Sequence, residues 1–354
     1  PAGNIAYWGK LYILADLSEP GDGIVTLIGP YYHFDLLVPT AAFAAVGVVH
    51  LGRWLDDACH GPFDGQRARA ATAAFAAVAL VGVGAVTLVV GAAAFDENLD
   101  ATATYERVYE PFDDGPPRDS AILLPDPLGD WLNHPFQPLR NDPDFDGRAV
   151  YAIDDRPFAV ADAYPDRDLY RYGYRGRWNP KNGSPMAATL RPTHHVVGDR
   201  VRLEASFGIP EDTRDVAVEI GADAEEIYRV TEIGETVELG INVAEDRVEL
   251  TGPVERVGFE RIGNDTVPVG TDTEVVTLVV DVDRERAGRT TYRLEIPVAI
   301  GAGRVRALTP RVAWCRLDQR CDRSATYLPS VAPDGISVTT ELHVPDGDAR
   351  GGSP

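Results

Sequence analysis

The stretch Asp199-Arg-Val-Arg-Leu-Glu-Ala-Ser-Phe207 (DRVRLEASF) decides the fold of the C-terminal half. Val201, Leu203, Ala205 and Phe207 fall on one side of an extended chain, and Arg200, Arg202 and Glu204 on the other. This is the period of two that a half-buried strand requires. The pattern recurs at Val216/Val218/Ile220, Val237/Leu239/Ile241, Tyr292/Leu294/Ile296/Val298 and Ile336/Val338/Leu342/Val344. Gly, Asp and Pro turns separate these runs, which predicts an antiparallel β-sandwich over residues 187–354.

Upstream the pattern is different. Apolar runs at 121–127 and 149–154 read as buried strands, each ended by an acidic turn, and PLGDWLNH (127–134) reads as a short helix between them. Residues 96–186 are therefore expected to form a small α/β subdomain. Asp166–Trp178 alternates Arg with Tyr, which suggests a two-faced strand with cation–π pairs.

Residues 71–95 (ATAAFAAVALVGVGAVTLVVGAAAF) carry no charge, and LLVPTAAFAAVGVVHLG (36–52) carries none either. The first run easily exceeds the roughly 30 Å of a bilayer core, and the second lies at the short end of the range. Two transmembrane helices are expected, at 35–54 and 70–95. Arg53, Arg67 and Arg69 flank the connecting segment 55–69, which the positive-inside bias places in the cytoplasm. Residues 1–34 and everything from Asp96 onward then lie outside. The expected fold class is a membrane-anchored α+β protein, located in the cell membrane with its C-terminal domain exterior.

The chain has 354 residues, 33 Lys+Arg against 55 Asp+Glu, and a net charge of −22. Only Lys10 and Lys181 are lysines, so 31 of the cations are arginines. A nucleic-acid partner would need a basic patch, and this balance argues against one. The acidic, lysine-poor composition looks like that of a halophilic archaeon. The sole methionine is Met186 and no signal sequence opens the chain, so the reading is of a portion of a longer parent. Spans rich in Ala and Gly pack closely against other helices, and upstream transmembrane helices of that parent are expected as partners, along with membrane lipid.

Several motifs could carry chemistry. Asp142-Pro-Asp144-Phe-Asp146-Gly147 matches the start of a calcium loop, with Asp142, Asp144 and Asp146 as candidate ligands. Against calcium, the position that should hold a bidentate Glu is Ile153, and chance Asp triplets are common in so acidic a chain. Cys315 and Cys321 are expected to form a disulfide on the oxidising side of the membrane, while Cys59 stays free in the cytoplasmic loop. Asn264-Asp-Thr266 is a glycosylation sequon, and Asn182-Gly-Ser184 is a second, weakened by Pro185. Tyr31, Tyr32, His33 and Asp35 sit at the outer border of the first span. They are candidates for contact with a lipid headgroup or sugar, against the plainer reading of an interfacial aromatic belt. The scattered histidines form no catalytic arrangement, and no nucleophile elbow or phosphate-binding glycine loop is present in the sequence.

The segments ILLPDPLGDWLNHPFQPLRNDPDFDGRAVYAIDD (122–155) and GPYYHFDLLVPTAAFAAVG (29–47) resemble haloarchaeal membrane glycosyltransferases of the family-39 type. These are similar to dolichyl-phosphate-mannose protein mannosyltransferases of the GT-C class. The resemblance covers about residues 1–180 and implies a polytopic enzyme using a polyprenyl-phosphate sugar as donor. The catalytic acid of such enzymes lies in the first outer loop. No residue of this chain matches it, so no catalytic residue is carried over and the chain alone is expected to be inactive. The alternative is a membrane-anchored exterior binding or envelope structural protein without catalysis.

Overall fold

A computed structural model describes residues 34–60, 106–125, 139–176, 187–257, 266–286, 288–316, 321 and 325–345, with scattered positions between 65 and 103. The chain divides into two units, Pro1–Phe95 and Asp96–Pro354.

In the first unit, helix α1 runs Phe34–His60, past the expected span end at residue 54 and into the segment read as a cytoplasmic loop. Its large apolar side chains are exposed, with Val38 at 75%, Phe43 at 78%, Val48 at 70% and Trp54 at 64%. At about 100° per residue these positions go round the helix rather than forming one stripe. Among the described residues no helix is long and apolar enough to cross a membrane. In α1 the uncharged run 36–52 measures only about 25 Å, short of a core of about 30 Å. The expected second span, 70–95, is described only at scattered positions, where Phe75, Val78, Val81, Leu88 and Val89 are exposed.

The second unit is built on strands β1–β17, numbered in chain order. Its four-stranded sheet contains β1 (Ser120–Leu124), β2 (Ala149–Ile153), β3 (Asp168–Arg175) and β4 (Ala187–Pro192), in the order β2-β1-β3-β4. β1 is parallel to β2 and β3, while β4 is antiparallel to β3. Helix α2 (Pro157–Ala163) makes the crossover from β2 to β3. The small sheet is thus of mixed α/β kind; the helix expected at 127–134 lies outside the described residues. β4 opens the segment read as sandwich but completes this smaller sheet.

A five-stranded sheet has the order β12-β10-β9-β6-β17. It comprises β6 (Val201–Gly208), β9 (Thr236–Val243), β10 (Arg247–Thr251), β12 (Thr266–Pro268) and β17 (Val338–His343). The eight-stranded sheet has β5 (His195–Gly198), β7 (Thr213–Gly221), β8 (Glu225–Val230) and β11 (Val254–Arg256). It continues with β13 (Val275–Arg284), β14 (Gly288–Gly301), β15 (Arg304–Leu308) and β16 (Arg311–Arg316). The long β14 pairs with β13 on one side, and on the other with β16 and then β15.

All strand pairs of these two sheets are antiparallel, and their inward faces share one hydrophobic core. Phe207 and Leu203 from one sheet join Tyr292, Leu294 and Leu278 from the other, as the alternation predicts. The Tyr292 ring lies 5.4 Å from that of Phe207, and its hydroxyl donates to the Gly208 carbonyl.

Candidate functional site

The alternation of β3 makes the site. Tyr170, Tyr172 and Tyr174 turn toward the core of the small sheet, where Phe112 and Tyr151 also pack. The intervening Arg171 and Arg175 turn the other way, toward the eight-stranded sheet. Arg175 Nη1 donates to the Trp314 and Ala325 carbonyls, and its guanidinium lies 3.9 Å from the Trp314 ring. Arg171 Nη1 donates to the Thr309 carbonyl at 2.6 Å. The expected two-faced strand is present; Arg175 takes its cation–π partner from β16, and Arg167 lies 5.8 Å from the Tyr164 ring.

Asp154 follows β2 at the carboxyl end of the parallel strands, the edge where open α/β sheets usually place ligands. Its Oδ2 accepts from Arg171 Nε at 2.8 Å and from Arg311 Nε at 2.7 Å. Arg311 also donates from Nη2 to the Asp154 carbonyl and from Nη1 to Glu295 Oε2. Glu295 Oε1 in turn accepts from Arg293. Asp154 is 2% exposed. Burial pushes its carboxyl up, but the Arg171 and Arg311 guanidiniums outweigh this and hold it below its usual value.

These residues wall a cavity of about 450 Å³ between the small sheet and β14–β16. That lies within the roughly 300–1,000 Å³ of small-molecule sites. Among the described residues four guanidiniums line it (Arg171, Arg191, Arg293 and Arg311) against two carboxylates, Asp154 and Glu295. Pro125, Pro192, Pro310 and Val312 supply apolar wall. Arg171 and Arg191 are directly opposed across the β3–β4 pair. Arg191 donates to the Tyr327 carbonyl at 2.8 Å and has no carboxylate partner among the described residues. Burial pushes its guanidinium down from its ordinary value, with Tyr327 acting in the opposite direction. Arg171 Nη2 and Asp154 Oδ1 are enclosed in the wall without a hydrogen-bond partner. The arrangement presents guanidinium donors beside an apolar wall, a chemistry suited to an anion.

A second link joins the small sheet to the sandwich. Arg306 on β15 donates to both carboxylate oxygens of Asp162 on α2 and to Nε2 of His195. Burial, reinforced by Arg306, lowers the His195 imidazole below its usual value.

The sequence-expected sites fare differently. Cys315 and Cys321 form a disulfide, with Cα atoms 5.3 Å apart. Asp142, Asp144 and Asp146 are exposed on a turn that Phe145 passes at a φ of 57°. Among the described residues no three His, Cys, Asp or Glu side chains converge as a metal site, so the calcium expectation finds no site there. Asp35 belongs to α1, whereas Tyr31, Tyr32, His33, Asn182 and Asn264 lie outside the described residues. The cavity residues were not anticipated as a site. The legible signals were the acidic turn after the 149–154 strand and the Arg side of the 166–178 strand.

A parallel-sheet α/β layer is set against an antiparallel sandwich, with an arginine-rich cavity between them. Residues 120–296 match the family described as a domain of unknown function (DUF7846), and the chain belongs to that family. The match runs from β1 into β14 and includes Asp154, Arg171, Arg191, Arg293 and Glu295, leaving Arg311 beyond it. No curated protein and no solved structure matches the chain.

Proposed function

We propose that this chain is the membrane-associated and exterior portion of a polyprenyl-phosphate-sugar-dependent glycosyltransferase of the cell envelope. In this reading its β-rich body flanks a catalytic centre carried by upstream membrane helices of the same parent. The observation that carries membrane association is the exposure of Val38, Phe43, Val48 and Trp54 right round α1. A helix apolar on every side is stable only in lipid or inside a larger helix assembly. The Cys315–Cys321 disulfide favours an oxidising compartment for the second unit. The transferase class comes from the resemblance at 29–47 and 122–155.

No residue of this chain matches the catalytic acid of the resembling enzymes, so in this reading the chain alone transfers no sugar. The test is an assay of transfer from a polyprenyl-phosphate sugar with three proteins: this chain, the parent, and the parent ended after Phe95. Transfer by the parent but not by this chain is expected. Transfer by the chain alone would refute the reading, and full activity in the shortened parent would make the body an appendage.

The cavity favours a second reading, an anchored exterior binding module without catalysis. A parent inactive with every polyprenyl-phosphate donor would favour it over the first.

A further inference from the structure

We propose that the cavity between the four-stranded sheet and β14–β16 binds a small organic anion, a carboxylate or a phosphate ester, with Arg191 as its principal contact. This does not depend on the transferase reading.

The observation that carries it is the direct opposition of Arg171 and Arg191 across β3 and β4. Like charges at directly opposed positions of an antiparallel pair repel, and burial strengthens the effect. A carboxylate relieves that repulsion at Arg171 only, through Asp154. Asp154 is itself shared with Arg311, and Glu295 is shared between Arg311 and Arg293. Among the described residues two carboxylates thus serve four guanidiniums, an excess of positive charge in a chain whose net charge is −22. A surface that acidic would repel anions from almost everywhere else, so this concentration of arginine is a selective feature.

Geometry fixes the ligand class further. Arg171 and Arg191 are steadied by the Thr309 and Tyr327 carbonyls, so these two guanidiniums are held before a ligand arrives. Preorganised planar forks suit carboxylate and phosphate oxygens, which can accept two parallel bonds. The apolar wall of Pro125, Pro192, Pro310 and Val312 accommodates a carbon skeleton, which a bare inorganic ion would leave uncovered. Arg171 Nη2 and Asp154 Oδ1 are sealed within the wall, so they set its field rather than touch the ligand.

The experiment is isothermal titration of the full chain in detergent micelles at constant potassium chloride. The probes are D-glucuronate, glucose 1-phosphate and neutral glucose. Expected is saturable binding of at least one anion and no binding of glucose. Glucuronate alone would assign a carboxylate ligand, glucose 1-phosphate alone a phosphate ester, and both a general anion site. Arg191→Gln should weaken the bound anion about tenfold or more, the loss of one charge-assisted contact. Because it removes one of two opposed charges, it should leave the melting temperature of the ligand-free protein unchanged or raised. Arg247→Gln, on the distant exposed end of β10, should change neither quantity. Binding that is equal in the wild type and Arg191→Gln, or no anion binding better than glucose, would overturn the proposal.

Discussion

Arg311 holds Asp154 twice, through Nε to the side-chain Oδ2 at 2.7 Å and through Nη2 to the backbone carbonyl at 3.0 Å. One residue belongs to the sandwich and the other to the carboxyl end of a parallel strand, so this pair fastens the two layers beside the cavity. A buried ion pair adds little over a well-packed apolar one, but losing half of it leaves an uncompensated charge.

Asp154→Ala should therefore destabilise the protein by about 3–5 kcal/mol, because Arg171 and Arg311 lose their shared carboxylate. Chemical denaturation of wild type and variant, compared at equal salt, measures this. A loss no larger than that from an exposed control such as Asp246→Ala would contradict the role given to the pair.

Acid should loosen the same junction in two stages. Asp154 has a lowered carboxyl, so its contribution is present above about pH 4 and is lost as pH falls through its lower native value. His195 is also lowered, so its neutral-form contribution is present above about pH 6.5 and fades as pH drops below that. Melting temperatures should show Asp154→Asn flattening the lower stage and His195→Gln the upper one. The comparison must be variant against wild type, because relief of the −22 net charge acts on both.

Between the two sheets, Tyr292→Phe should cost about 1–3 kcal/mol, since the buried Gly208 carbonyl loses its donor. Gly208→Ala should also destabilise. A Cβ there would fall 2.5 Å from Ser337 Oγ and 2.7 Å from the Gly335 carbonyl. Thermal melts read both, and a wild-type melt for Gly208→Ala would show that the β6 end and the 335–337 turn are not packed as described.

Removing the disulfide by Cys315→Ser should destabilise by about 2 kcal/mol, a modest figure because the closed loop is short. Cys321→Ser should match it. An unequal pair would point to a separate role for one sulfur.

The sandwich was legible because Val201, Leu203, Ala205 and Phe207 alternate with charged residues, and one-sided burial enforces that period. The small sheet was legible at β1 and β2 as continuous apolar runs, which suit strands covered on both faces. β4 was assigned to the wrong layer because alternation identifies a strand without naming its partner. Arg191 would look the same on either sheet. The cavity was harder still. Asp154 and Arg311 stand 157 positions apart, and nothing local marks them as partners. The Asp142–Asp146 run shows the converse, a local motif whose side chains face solvent without converging.

The most direct test of the membrane-associated, exterior reading is labelling of intact host cells with a membrane-impermeant maleimide. It uses a Glu249→Cys variant, which places a thiol on the exposed side of β10 and leaves Cys59 in place. The account predicts that the cysteine at position 249 is labelled before lysis, and Cys59 only after it. Labelling of Cys59 in intact cells with the position-249 thiol protected would contradict it.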